Sequence, residues 1–146
     1  MSLRQRLIEQ ITMDGPMSVA DYMAQCLLDP IDGYYTQHAI LGAEGDFITA
    51  PLISQMFGEM IGVWVAQAWL GLGSPTAFRL VEIGGGDGTL MSDILRVANR
   101  VSGLHQAMQV LMIEPSARLR ALQAVIPGAA FAASVEAIPE DLPLII

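Results

Sequence analysis

The sequence predicts an α/β fold: a Rossmann-like parallel sheet, present as an incomplete set of its first four strands, preceded by an N-terminal helical layer. Three observations carry this. Residues 80–90, LVEIGGGDGTL, pass from an apolar and β-branched run through four glycines in five residues into a helical pattern. From there the elements alternate strand, helix, strand, helix, strand, strand, the order that builds a parallel sheet with right-handed crossovers around a central first strand. Upstream, apolar residues recur at helical spacing. A chain of 146 residues with 53% apolar composition can bury one core. Residues 1–75 are assigned to the helical layer and a covering loop, and residues 76–146 to the N-terminal half of a ligand-binding α/β domain.

Taken in order, Leu3, Leu7, Ile8 and Ile11 repeat at helical spacing until Gly15-Pro16. Ser18 with Asp21 resembles a capping box, opening a second helix with Ala20, Met23, Leu27 and Leu28 on its apolar face, ended by Asp29-Pro30. Residues 29–51 have no sustained period and read as a long structured loop, since Tyr34, Tyr35, Phe47 and Ile48 argue against disorder. Pro51 suits the first turn of a third helix running to about Leu70 or Leu72. Phe57, Ile61, Trp64 and Ala68 fall on one face of it, and Trp64 and Trp69 are assigned to packing. Gly71, Gly73, Ser74 and Pro75 connect to the first strand. The helix after the glycines carries Leu90, Met91, Ile94, Leu95, Ala98 and Val101, with Arg96 and Arg100 toward its end, as the macrodipole prefers. Met108–Ile113 reads as a buried strand. Ser116 reads as the N-cap of a helix with Leu119 and Leu122 inward, stopped by Pro127-Gly128. Ala130–Ala133 is a weak third strand and Leu142–Ile146 a fourth. A sheet whose last strand ends on Leu144, Ile145 and Ile146 with no turn or covering helix leaves an apolar edge open, so the chain is expected to belong to a longer domain.

Composition excludes several function classes. The formal net charge is −8, and all seven basic residues are arginine. Such a chain is a poor general nucleic-acid binder, because phosphate neutralisation dominates that affinity. Without lysine there is no P-loop lysine and no Schiff-base lysine. Cys26 is the one cysteine, so no disulfide or cysteine-built metal site forms within the chain. No metal is expected. The longest apolar stretch, 60–73, contains Gln67 and is too short to span a bilayer. Arg4, Arg6 and Glu9 punctuate an amphipathic start rather than a signal peptide, so the expected location is the cytoplasm.

The glycine turn selects its ligand. A dinucleotide fingerprint needs G-x-G-x-x-G, but counting from Gly84 the third position is Thr89, and from Gly86 it is Met91. A Walker loop needs lysine. What remains is G-x-G-x-G on Gly84, Gly86 and Gly88, the pattern of methyltransferases that use S-adenosylmethionine. Glu82 and Asp87 would repel a pyrophosphate in a partly dry site, whereas a sulfonium and an ammonium group are attracted. Glu114, just past the second strand, stands where a carboxylate accepts hydrogen bonds from ribose hydroxyls. Each acid alone would read as a solvated strand end; together around a glycine turn they read as ligand contacts.

The blocks DPIDGYY (29–35), GDFITAPLISQMFGE (45–59), LVEIGGGDGTLMSDILR (80–96) and IEPSARLRALQ (113–123) resemble the MidA-like family of class I S-adenosylmethionine-dependent methyltransferases, found in bacteria and mitochondria. The resemblance covers nearly the whole chain. Its mitochondrial members assist respiratory complex I assembly by methylating an arginine of one subunit, and this chain is expected to be bacterial. The resemblance implies that the 45–51 loop lies over the cofactor, with Asp46, Phe47 and Thr49 lining the pocket; Asp46 as a turn cap and Phe47 as plain core remain the alternatives. It also implies that acidic groups near the transferred methyl follow residue 146.

Methyl transfer is an in-line displacement in which the protein supplies alignment and desolvation. An arginine acceptor, with a pKa above about 12, needs carboxylates to orient it and take up its proton. Asp46 and Glu59 are candidates without a decisive signal; His38 and His105 read as surface residues, and the catalytic residue is left unassigned. A small-molecule methyltransferase on the same fold, or a non-catalytic assembly module for a respiratory-complex subunit, are the rival readings.

Overall fold

Phe78–Ile83 (β1) has hydrogen-bonded neighbours on both sides and organises everything downstream of it. In the computed structural model, which describes residues 1–37 and 47–146, β1 pairs in parallel with Met108–Ile113 (β2), Phe78 facing Met108 and Ile83 facing Ile113. Beyond β2 lies Ala130–Ala132 (β3), and on the other side of β1 lies Leu144–Ile145 (β4), also parallel. The order β3-β2-β1-β4 places the chain reversal at β1, since β1, β2 and β3 step one way and β4 returns to the other side. The fourth strand is shorter than the expected 142–146.

Alternation along the strands separates two faces. Phe78 and Leu80 of β1, Val110 and Met112 of β2 and Ile145 of β4 join one buried cluster with Met91, Ile94, Leu95 and Ala98 of Thr89–Ala98 (α6) and Val65, Ala66 and Trp69 of Gln55–Gly71 (α5). Each fully buried aliphatic side chain here stabilises the fold by roughly 1.5–3 kcal/mol. Val81, Leu111 and Ile113 form a smaller cluster on the other face, covered by Ala132 and Ile138. Arg79, also buried, is satisfied there by the Pro139 carbonyl at 2.6 Å and Asp141 at 2.8 Å.

The expected single helix from about Pro51 to Leu70 is two. Ala50–Ile53 (α4) stops at Ser54, which turns extended (φ −152°) and accepts the Met56 N–H through its hydroxyl, starting α5 afresh. The buried face of α5 also differs from the expected one. Gly58, Gly62, Val65, Ala66 and Trp69 are buried, whereas Phe57 and Trp64 are exposed. The cause is close approach of helix backbones. A Cβ on Gly58 would stand 2.5 Å from that of Asp93, and one on Gly62 2.9 Å from that of Val97, so only glycines admit α6 at this distance. Trp69 does pack, donating its indole N–H to the Pro75 carbonyl, while Trp64 at 53% exposed does not. In Ala117–Gln123 (α8), Leu122 is exposed rather than inward, and Gln123 takes the buried position. Leu104–Ala107 (α7) is a single turn before β2 and leaves His105 exposed.

The chain divides by compactness into Met1–Ile40 and Leu41–Ile146. The first unit holds Leu3–Asp14 (α1), Val19–Leu28 (α2) and Tyr34–Gln37 (α3), the last being a turn of helix within the expected loop. Ser2 and Gln5 form a reciprocal capping box on α1, and Ser18 caps α2 through the Asp21 N–H. The apolar residues expected inward on α2 are not buried. The DPIDG stretch is a structural staple. Asp29 accepts the backbone N–H groups of Ile31 and Asp32 and pairs with Arg6 at 2.5 Å, while Asp32 takes the Leu3 N–H. These donors, the Asp32 N–H foremost, hold the Asp29 carboxyl below the usual carboxylate range. Gly33 packs its bare Cα on the Asp29 backbone, where a Cβ would approach within 2.5 Å.

Candidate cofactor site at the C-terminal edge of the sheet

In an open parallel sheet, ligands bind beyond the carboxyl ends of the strands where the strand order reverses. Here that place is the turn from β1 into α6. Gly84, Gly86 and Gly88 have φ of +68°, +58° and +86°, a region in which side chains with a Cβ are strained. The turn is anchored to its neighbours by backbone: the Gly84 N–H donates to the Ile113 carbonyl at 2.9 Å, and the Gly88 N–H to that of Gly85. Asp87 accepts the Thr89 N–H at 3.0 Å and so helps start α6, which has no side-chain cap from Gly88 itself. Gly85 is needed for a different reason, because a Cβ there would stand 2.5 Å from the Met112 side chain and 2.9 Å from the Glu82 carboxyl.

Glu82 is the exceptional residue of this edge. It lies on the same face of β1 as Phe78 and Leu80, so a carboxylate continues a buried apolar row. Its Oε2 is buried and has no hydrogen-bond partner among the described residues. Burial, helped by the nearby Asp87 charge, raises its carboxyl to about 7. Glu114 follows β2 by one residue and is only 4% exposed, so it is not a solvated strand end. Its Oε1 accepts the Ser116 N–H at 2.8 Å, its own N–H reaches the Ala132 carbonyl, and Arg120 donates to the carbonyls of Glu114 and Pro115. Ser116 in turn caps α8 through the Leu119 N–H. Glu82, Gly84, Gly86, Gly88 and Glu114 thus share one edge of the sheet.

The other expected site residues are placed differently. Thr49 is the exposed N-cap residue of α4, its hydroxyl makes no capping bond, and α4 touches α6. Phe47 is exposed. Asp46 and His38 lie outside the described residues. Glu59 sits in a polar cluster, accepting from Gln55 at 2.7 Å and Arg96 at 3.3 Å; these donors, Gln55 first, keep its carboxyl below the usual range, which suits a structural acid rather than a base. Gln123 was not foreseen. It is fully buried and donates from Nε2 to the Gly86 carbonyl at 2.9 Å. Its signal is its spacing, since Leu119, Gln123 and Ile126 put a polar residue into an inward row. Among the described residues no group of three His, Cys, Asp or Glu side chains could hold a metal, and no helix is long and apolar enough to cross a membrane.

This edge has the features that an adenosine-bearing cationic ligand requires, and comparisons with known proteins agree. Residues 60–129, spanning α5, β1, the glycine turn, β2 and α8, match a family described as "Putative S-adenosyl-L-methionine-dependent methyltransferase". Over these residues the chain is similar to that methyltransferase family, whose description names S-adenosyl-L-methionine as the cofactor. It is 45% identical over 121 residues, 82% of its length, to the mitochondrial protein arginine methyltransferase NDUFAF7 of Rattus norvegicus, and 41% identical over 143 residues to the Drosophila melanogaster homolog. It spans 28% and 32% of the length of those two relatives. A Burkholderia thailandensis protein crystallised with S-adenosyl-homocysteine superposes on 94% of the chain with a TM-score of 0.73 at 28% identity, this being 38% of that protein. A native structure from the same organism gives 0.68 at 29% identity over 94% of this chain and 35% of its own.

Proposed function

We propose that this chain carries the cofactor-binding part of an S-adenosylmethionine-dependent protein arginine methyltransferase. The observation that carries this is a half-buried and a buried acid, Glu82 and Glu114, beside one glycine turn, with a buried Glu82 oxygen that has no hydrogen-bond partner among the described residues. The cofactor would supply a methyl group activated by a positively charged sulfur. Glu82, Gly84, Gly86 and Gly88 would hold it from β1, and Glu114 from the end of β2. Ionised Glu82 would complement its positive charge in a site of reduced dielectric, where such attraction is stronger than in water. Glu114, fixed by the Ser116 N–H, is pre-oriented to accept from ribose hydroxyls. Gly84 and Gly86 leave the backbone bare for close approach. Thr49, the N-cap residue of α4, would face the bound ligand, and the resemblance extends this role to Asp46.

Relatives named as protein arginine methyltransferases, matched over most of this chain, support an arginine side chain of a protein as acceptor; the resemblance to the MidA-like family extends this to a subunit of the respiratory complex I type. A bacterial, cytoplasmic source is part of this reading, two structures from Burkholderia thailandensis being among the neighbours of the chain. Calorimetric titration of S-adenosyl-homocysteine tests the cofactor reading: micromolar binding is expected, and none at millimolar ligand overturns it. Radiolabelled methyl transfer by the complete protein, followed by hydrolysis and amino-acid analysis, should yield methylarginine. Label confined to small molecules would overturn the acceptor assignment.

A further inference from the structure

We propose that Gln123 is a positioning residue of the cofactor site, locking the Gly86–Asp87 peptide of the glycine turn in the orientation that receives the ligand. The inference rests on the cofactor reading above. Gln123 belongs to α8, outside the glycine motif, yet it is fully buried and its Nε2 donates to the Gly86 carbonyl at 2.9 Å across 37 residues of sequence. Its other amide atom, Oε1, is buried without a hydrogen-bond partner among the described residues. A buried glutamine left half-satisfied is unfavourable compared with an apolar residue of the same shape, so packing alone does not account for it. What it provides is control of one peptide plane. Gly86 has φ of +58° and no Cβ, so little in the turn itself prevents that peptide from rotating. In a planar trans peptide the C=O and the following N–H point in opposite directions, so fixing the Gly86 carbonyl toward α8 fixes the Asp87 N–H away from it. Asp87 is also the residue whose carboxylate receives the Thr89 N–H, so the same lock steadies the start of α6.

The rest of α8 makes the lock rigid. Ile126, just past the helix, lies where a Cβ on Gly88 would come within 2.9 Å of its Cδ1, so α8 meets the turn at two successive glycine positions. At its other end α8 is tied to Glu114 through the Ser116 cap and through Arg120. One short helix therefore sets both the turn after β1 and the acid after β2. The spacing between those two groups decides whether one ligand reaches both.

Gln123→Met keeps the length and volume and removes the donor. Expected for the full chain is a folded protein with stability equal to or slightly above that of the parent, about tenfold weaker binding of S-adenosyl-homocysteine, and clearly faster hydrogen exchange at the Asp87, Gly88 and Thr89 amides. That split distinguishes positioning from plain packing, which would lower stability and leave those amides alone in proportion. Unchanged exchange at the three amides overturns the proposal, whatever the affinity does. Accelerated exchange in a protein whose parent form binds no S-adenosyl-homocysteine upholds the lock on the turn and sinks the cofactor reading instead. If the variant does not fold, the parent protein decides: its Gln123 side-chain amide protons should be protected from exchange, and free exchange there overturns the proposal.

Discussion

Two turns at the same edge of the sheet have the same construction and opposite finishes. Each joins a parallel strand to a helix, β1 to α6 and β2 to α8, and each begins with a buried or half-buried glutamate. After β2 the turn is closed: Glu114 accepts the Ser116 N–H, Ser116 accepts the Leu119 N–H, and Arg120 donates to two carbonyls. After β1 the turn is open: three glycines stand in the left-handed region, and Glu82 has a buried oxygen with no partner among the described residues. A fold under no other demand would satisfy or remove that oxygen, because an unpaired buried polar atom costs about 1–3 kcal/mol. The contrast assigns the two acids different duties. Glu114 is bound into its own turn, whereas Glu82 keeps one buried oxygen without a partner among the described residues, as the proposed role toward a positively charged ligand requires.

The largest expected effect comes from destroying the open turn. Gly86→Val places a β-branched residue at φ +58°, where even an unbranched one is strained by about 1–2 kcal/mol, and fills the space a ligand must approach. Binding of S-adenosyl-homocysteine should fall by more than about a hundredfold, equivalent to roughly 2.8 kcal/mol. Micromolar affinity retained by this variant would remove the turn from the site.

Next comes the charge of Glu82. Its carboxyl is raised to about 7 from the ordinary 4.5, so between those pH values the folded protein keeps a proton that the unfolded chain has released. Stability therefore falls as pH rises through that window, by at most about 3 kcal/mol, and stays low above it. Glu82→Gln should flatten the pH dependence and make the variant the more stable protein at pH 8. Urea titrations of both proteins at pH 5 and pH 8 check this, and parallel slopes would refute the buried-acid assignment. A cationic ligand reverses the preference, so S-adenosylmethionine should gain affinity over neutral-sulfur S-adenosyl-homocysteine as pH rises from 6 to 8.

How much of this contrast is legible in sequence follows from the kind of interaction involved. The strands β1 and β2, the glycine turn and the Ser116 cap are local patterns of a few residues, and each stands where its pattern puts it. The two acids are legible as positions at strand ends. Their difference is not, since it depends on which backbone N–H groups the fold brings to each carboxylate. The face of α5 is not legible for a similar reason: a hydropathy pattern favours Phe57 and Trp64, whereas contact with α6 is decided by the bare backbones of Gly58 and Gly62. Gln123 escaped because polarity reads as exposure, and its burial depends on a carbonyl 37 residues away.

Glu114 sharpens the comparison from the closed side. Glu114→Ala should weaken S-adenosyl-homocysteine by about 1.5–3 kcal/mol if charged hydrogen bonds reach the ribose, and should also loosen the turn by freeing the Ser116 N–H. Glu114→Gln separates the two, because an amide oxygen still accepts from Ser116 while the charge is gone. Weakened binding at unchanged stability is expected for Gln, measured by calorimetry and urea titration side by side. Binding equal to the parent in both variants would make Glu114 a turn residue only.

The smallest effect belongs to Ser116, which serves the closed turn without facing a ligand in this reading. Ser116→Ala removes the acceptor for the Leu119 N–H at 3.4 Å and leaves the Ser116 N–H bonded to Glu114. Loss of an N-cap costs typically about 1 kcal/mol, and the long 3.4 Å contact places this one toward the weaker end. Urea titration should show a loss of that order, with affinity for S-adenosyl-homocysteine changed by less than about twofold. A tenfold loss of affinity would mean that α8 shifts when its cap is cut and carries the shift into the ligand site. The closed turn would then be a working part of that site rather than its fixed frame, and the division of duties between Glu82 and Glu114 would have to be redrawn.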